Sequence, residues 1–332
     1  MATIGTSVTL LDMAKRSDPN GKVDKIVEVL QQTNEILADM RWIEGNLPTG
    51  HKTTIRTGLP TATWRMLNYG VQPSKSSTAQ VTDTCGMLES YAEVDKALAD
   101  LNGNTADFRF SEDRAFLESM NVEMARTLIY GDTRVNPERF FGFAPRFDAS
   151  DTDPMKSGSN IIKAGGAGAD NTSIWLVVWG ENTVHGIVPK GSKAGFQHKD
   201  LGEQTLTDAN GGRFQGYRTH YKWDCGLTVR DWRYVVRIAN IDVSDLTKTG
   251  ATGADLPNLM TQALELVPNL GMGTPAFYCN RIVKSFLRQQ QVNKVAGSTL
   301  TMENIAGAPV LSFGGVPVRR CDQILNTETV VA

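Results

Sequence analysis

Apolar positions along the chain follow helical spacing in some stretches and strand alternation in others, and one long stretch fits neither. In "KVDKIVEVLQQTNEILADM", Ile26, Leu30, Thr33, Leu37 and Met40 fall on one helical stripe after the turn "SDPNG", which predicts an amphipathic helix from about Asp24 to Met40. A second helix is predicted in "FSEDRAFLESMNVEMARTLIYGD", from about Ser111 to Tyr130. There Ser111 reads as the cap, Glu112 and Asp113 suit the positive end, Leu117, Met120, Met124 and Leu128 form the stripe, and Gly131 stops the helix. "DLPNLMTQALELV" and "NRIVKSFLRQQQVNKV" predict two more, starting at Asp255 and Asn280.

Short β-branched and aromatic runs between glycine-rich turns read as strands. "SIWLVVWG", "TVHGIVPKG", "GYRTHYKWDCGLTVRD" and "YVVRIANI" predict an antiparallel sheet from about Ile174 to Ile241. "PAFYCN" and "VPVRRCDQI" are strand-like too, and the mixed pattern predicts a second lobe beginning near Gly250. Between helix and sheet, "DASDTDPMKSGSNIIKAGGAGADNTS" has the small polar composition of a mobile loop.

The exceptional stretch is "GNLPTGHKTTIRTGLPTATWRMLNYG", Gly45 to Gly70. Between Thr49 and Thr63 only Ile55, Leu59 and Ala62 are apolar apart from glycine and proline, so neither face of an extended segment there can build a core. With "TAQVTDTCGMLESYAEV" it predicts a long hairpin, from Gly45 to about Ala92, around the turn-rich "NYGVQPSKSS". At ~20 residues per arm and ~3.3 Å per residue the hairpin would reach roughly 60 Å. A compact chain of this length has a radius of gyration of only about 20 Å. An isolated two-stranded ribbon is marginal in water, so the pattern implies cover from another molecule.

Composition narrows the function without locating a catalyst. The 332 residues, 40% hydrophobic and 21% charged, suit a soluble chain with real cores. Lysine plus arginine (34) nearly balances aspartate plus glutamate (36), so no basic field exists to grip nucleic acid, and any DNA is contacted weakly. Cys85, Cys225, Cys279 and Cys321 have no paired spacing and read as free thiols in a reducing compartment. No signal peptide or membrane span is visible, which points to synthesis in a cytosol and no membrane partner.

No catalytic, cofactor-binding or metal-binding residue is assigned. The cluster "KAGGAGAD" lacks the third glycine of a dinucleotide loop and the ending of a phosphate loop, and reads as a flexible connector. His51, His185, His198 and His220 are scattered, and Cys225 has the wrong strand parity to join His220 on a metal. "GSKAG" puts Ser192 in the wrong place for a nucleophile elbow. The "NTS" at Asn171 matches a glycosylation acceptor but has no secretory signal to give it meaning.

"LADMRWIEGNLPTGHKTTIRTGLPTATWRMLNYGVQPSKSSTAQVTDTCGMLESYAEVDKALADLNGN", then "SEDRAFLESMN" and "YGDTRVNPERFFGFAPRF", closely resemble the major capsid proteins of tailed double-stranded DNA bacteriophages, over nearly the whole chain. The resemblance implies an α+β, Hong Kong 97-like capsid fold. On it, 1–44 is an N-terminal arm and 45–92 the extension-loop hairpin. A peripheral domain then covers 93–249, with its spine helix at 111–130 and its sheet, and an axial domain covers 250–332. The segment from "SIWLVVWG" to "YVVRIANI" resembles the family's closing strands, and "ALELVPNLGMGTPAFYCNRIVKSFLRQQQ" with "GAPVLSFGGVPVRRCDQIL" its axial core. That order implies a permuted connectivity on the same architecture.

The function so implied is a major capsid protein, assembling with itself as hexamers and pentamers into the icosahedral head around packaged double-stranded DNA. The implied partners are a separate scaffolding protein, a portal and a cement or decoration protein. The implied location is the virion, after assembly in the host bacterial cytoplasm. Arg56, Trp64, Arg65 and Lys75 are the candidate subunit-interface residues, arginine and tryptophan being common anchors. Lys75 sits where a cross-linking lysine would stand, but no partner is assignable and noncovalent contact is the expectation. The competing readings are an encapsulin-like nanocompartment shell around protein cargo and a cytosolic enzyme of unrecognised chemistry.

Overall fold

The computed structural model describes residues 34–103, 105–192, 195–208, 210–248, 253–293, 300–305 and 308–332. Most of the expected arm, and the first helix up to Thr33, lie outside the described residues; Ile36–Asp39 (α1) is helical. The chain divides into two compact units.

The larger unit holds 34–86, 125–192 and 225–332. Its central strand is β5 (Asn171–Trp179), flanked antiparallel by β9 (Val235–Asp242) and β10 (Thr274–Cys279). All nine residues of β5 are buried, which explains why its sequence is a continuous apolar run rather than an alternating one. Ile174, Leu176 and Val178 on one face join a core with Val236, Ile238 and Phe277 and with two helices, α4 (Leu256–Leu266) and α5 (Arg281–Asn293), through Met260, Ala263, Val283 and Leu287. The other face carries Trp175 and Trp179, whose rings meet Phe143 at 5.8 and 6.1 Å between centroids. Each such side chain contributes about 1.5–3 kcal/mol on burial. Both helices begin as expected: the Asp255 carboxylate accepts from Asn258 N at 3.5 Å, and Asn280 Oδ1 accepts from Val283 N at 2.9 Å.

Three expectations are corrected here. Within the expected span the sheet is mixed rather than antiparallel, because β5 runs parallel to β6 (Val184–Val188); beyond it, β10 runs parallel to β13 (Val316–Arg320) and β9 to β4 (Ile161–Lys163). The boundary near Gly250 also separates nothing: Phe277 and Val318 share one core with β5 and β9, so the last 80 or so residues are not a lobe of their own. The expected mobile loop is likewise bonded into place. Asn160 Nδ2 donates to Val235 O at 3.0 Å, and the amides of Ala164 and Gly166 donate to Ala239 O and Asn240 O.

The smaller unit holds the described residues of 87–124 and 193–224. It combines the second half of β3 (Ser77–Asp95), most of the long helix α3 (Thr105–Tyr130) and a hairpin of β7 (Gln197–Thr207) with β8 (Arg213–Val229). The helix starts six residues before the expected cap. The Ser111 hydroxyl donates to Phe108 O at 2.8 Å inside the helix, and Thr105 Oγ1 donates to Asp100 Oδ1 at its start. Glu112 and Asp113 are thus mid-helix rather than at its positive end, and Asp113 hydrogen-bonds Tyr221, with burial pushing its carboxyl up. The buried ridge runs through Phe108, Phe116, Met120 and Met124. Leu117, about 100° further round the helix than Phe116, is exposed, contrary to the expected stripe.

Candidate assembly surface

The ribbon grows from a polar root in the larger unit. Asn46 pairs reciprocally with Lys52, its Nδ2 donating to the carbonyl at 2.8 Å and its Oδ1 accepting from the amide at 2.7 Å. Strand β2 (Gly50–Gly58) then pairs antiparallel with β3, from Gly50 opposite Thr84 to Gly58 opposite Ser77. Beneath it Asp83 is buried and holds Arg146 at 2.8 Å. Arg146 also donates to the carbonyls of Phe141 and Gly142.

The regular ribbon is shorter than expected. Its paired arm ends at Gly58, after nine residues of β2, because Leu59–Ser76 takes up no strand pairing. Ser74 Oγ donating to Thr61 O, and a turn at Asn68 with φ of 68°, supply the local order. Every residue from Leu59 to Gln80 is exposed.

Of the four expected interface residues, Arg56 lies on β2 and Trp64, Arg65 and Lys75 in the tip; all four are exposed and the fold does not bring them together. Sequence reasoning missed their apolar neighbours. Leu59, Met66, Leu67, Tyr69 and Val71 are exposed large hydrophobics beside Trp64, whose relative exposure is 103%. The available signal was the apolar density of "TWRMLNYGV" in a segment with no partner for it. Six such residues on one tip are more exposed apolar surface than a lone subunit usually carries.

A second polar cluster fixes the other end of the chain. Buried Arg237 pairs with Glu328 at 2.7 Å and donates to Phe147 O at 2.7 Å, while the Tyr130 and Ser173 hydroxyls donate to the same carboxylate. Burial and the Glu328 charge raise the Tyr130 phenol, keeping it protonated. Tyr130 accepts from Leu325 N, and Asn240 makes two bonds with the Val331 backbone. With the Glu328 oxygens committed to Arg237, Tyr130 and Ser173, the cluster clamps the tail. Among the described residues no group of three His, Cys, Asp or Glu is placed to hold a metal, and no helix is long and apolar enough to cross a membrane. Cys225, Cys279 and Cys321 are buried and Cys85 half-buried.

This architecture of mixed sheet, long helix and uncovered ribbon is that of a phage capsid subunit. A chain in the cryo-EM structure of bacteriophage Epsilon15 is 44% identical, with a TM-score of 0.77, over 100% of this chain and 99% of that one. The bacteriophage JBD30 capsid is 10% identical at a TM-score of 0.50, covering 89% and 93%, and shows a shared fold. The holo-SrpI encapsulin complex of Synechococcus elongatus PCC 7942 is 10% identical at a TM-score of 0.43, covering 70% and 96%. No curated protein matches. The model of the family Major capsid protein GP7 matches residues 18–332, and the chain belongs to that family. It has the Hong Kong 97-like capsid fold and serves as a major capsid protein of the virion.

Proposed function

We propose that the chain assembles as hexamers and pentamers into an icosahedral bacteriophage head around double-stranded DNA, and that it is not an enzyme. The observation that supports this most is the ribbon tip, whose apolar side chains have no cover from their own subunit. At ~25 cal/mol per Å², covering even ~400 Å² of apolar surface on a neighbour supplies on the order of 10 kcal/mol before ordering and desolvation oppose it. In this reading 45–92 is the extension loop, 1–44 the arm, and Arg56, Trp64, Arg65 and Lys75 contact neighbouring subunits. A separate scaffold, a portal and a cement or decoration protein complete the head, which forms in the host cytoplasm. The balanced charge of the chain supports weak DNA contact, with packaging left to a motor. Electron microscopy of particles from an infected or expressing culture is the test. Large icosahedral shells that take up DNA are expected. Small shells carrying protein cargo would favour the nanocompartment, and the absence of particles would contradict both.

A further inference from the structure

At the root of the ribbon, four neighbouring strands carry buried polar atoms without partners. His51 on β2 faces His185 on β6 (Val184–Val188), the rings edge-to-face with centroids 5.6 Å apart. Thr53 shares the face of His51, Asp83 is its cross-strand partner on β3, and Thr228 on β8 is the cross-strand partner of His185. His51 Nδ1, Thr53 Oγ1, Asp83 Oδ2, His185 Nε2 and Thr228 Oγ1 are all buried without a hydrogen-bond partner. The sequence placed these histidines far apart and gave them no role.

We propose that His51 and His185 form a proton-operated latch that holds β2 against β6 while both rings are neutral and loosens the root of the ribbon when both are protonated. His185 Nδ1 lies 3.1 Å from Gly186 O, which assigns its proton there and leaves Nε2 bare. A second proton on that ring enters a site with little negative charge to receive it. The charged groups that act on the pair are Asp83 and Arg230, and Arg146 is paired with Asp83. The one carboxylate already accepts from Arg146 at Oδ1, so a single imidazolium can use Oδ2, whereas two would repel each other and Arg230. Burial lowers the affinity of both rings for protons, His185 being fully buried. A group whose folded affinity is depressed favours the folded arrangement above its ordinary value of 6.5, and that support is lost as pH falls below it.

The latch belongs to the subunit, so its test does not require assembly. Backbone amide exchange of the full chain, corrected for intrinsic rates, is compared at about pH 7.5 and about pH 5. The expected result is that protection of β2 amides falls by at least about tenfold more than that of β9 amides on acidification. His185→Asn, which keeps a side-chain donor for Gly186 O, is expected to abolish the difference. Exchange at the imidazole C2 position of the unaltered protein gives a second reading that needs no variant, with both midpoints expected below 6.5. Equal protection at the two pH values, a fall that persists in His185→Asn, or midpoints at or above 6.5 would each overturn the latch.

Discussion

Strand β5 and the ribbon tip are both rich in large apolar side chains, yet their surroundings are opposite. Every residue of Asn171–Trp179 is buried, with Ile174, Leu176 and Val178 on one core and Trp175 and Trp179 on another. Every residue of the tip is exposed, Trp64 and Leu67 included. The same hydrophobic effect acts on both, but in β5 it is satisfied within the subunit and in the tip it can be satisfied only by another molecule. Apolar residues therefore define the folding of one region and, on the reading proposed above, the assembly of the other.

Substitutions matched across the two regions sharpen the contrast. The largest loss of subunit stability is expected from Phe277→Ala beside β5, whose ring packs on Phe313 at 6.1 Å: about 3–5 kcal/mol by denaturant unfolding. Glu328→Ala strands the buried Arg237 guanidinium and the Tyr130 and Ser173 hydroxyls, and is expected to cost about 3–5 kcal/mol, with release of the tail visible as proteolysis after Leu325. Thiol labelling is a milder probe. Burial pushes Cys279 and Cys321 up to about 12, so in native protein both are expected to react far more slowly than half-buried Cys85, and to catch up on unfolding. Equal native rates at all three would show that the core opens readily. The smallest effect is expected from Trp64→Ala, within about 0.5 kcal/mol of the unaltered subunit by the same unfolding measurement. A loss there as large as that of Phe277→Ala would show that the tip packs on its own subunit.

Legibility in the sequence followed the same division. β5, β9, α4 and α5 were readable because burial on one or both faces imposes a period or a run, and because Asp255 and Asn280 are strong local start signals. β7 was missed: "QHKDLGEQTLT" is mostly exposed, so its strand identity comes from pairing with β8 rather than from its own pattern. The start of α3 was misplaced because Ser111 looks like a cap in isolation, whereas the helix begins earlier, where Phe108 is drawn in by the cluster with Val94, Leu98 and Ala99. The Gly250 boundary failed because the partners of Phe277 lie about a hundred residues away on β5, and strand pairing at that distance leaves no local mark. At the candidate surface the sequence reading singled out Arg56, Trp64, Arg65 and Lys75 and passed over Leu59, Met66, Leu67, Tyr69 and Val71, since an exposed leucine has the same letter as a buried one.

The central claim is that the ribbon tip serves neighbours and not its own subunit. It is tested most directly by replacing Leu59–Ser76 with a short glycine-serine turn, which bridges Gly58 and Ser77 where they already pair. Circular dichroism and melting establish whether the subunit folds, and sedimentation beside the unaltered chain, under conditions where that chain forms particles, measures assembly. The expected result is an unchanged fold and melting temperature with no sedimenting shells. Shells in normal yield, or a subunit that no longer folds, would contradict it.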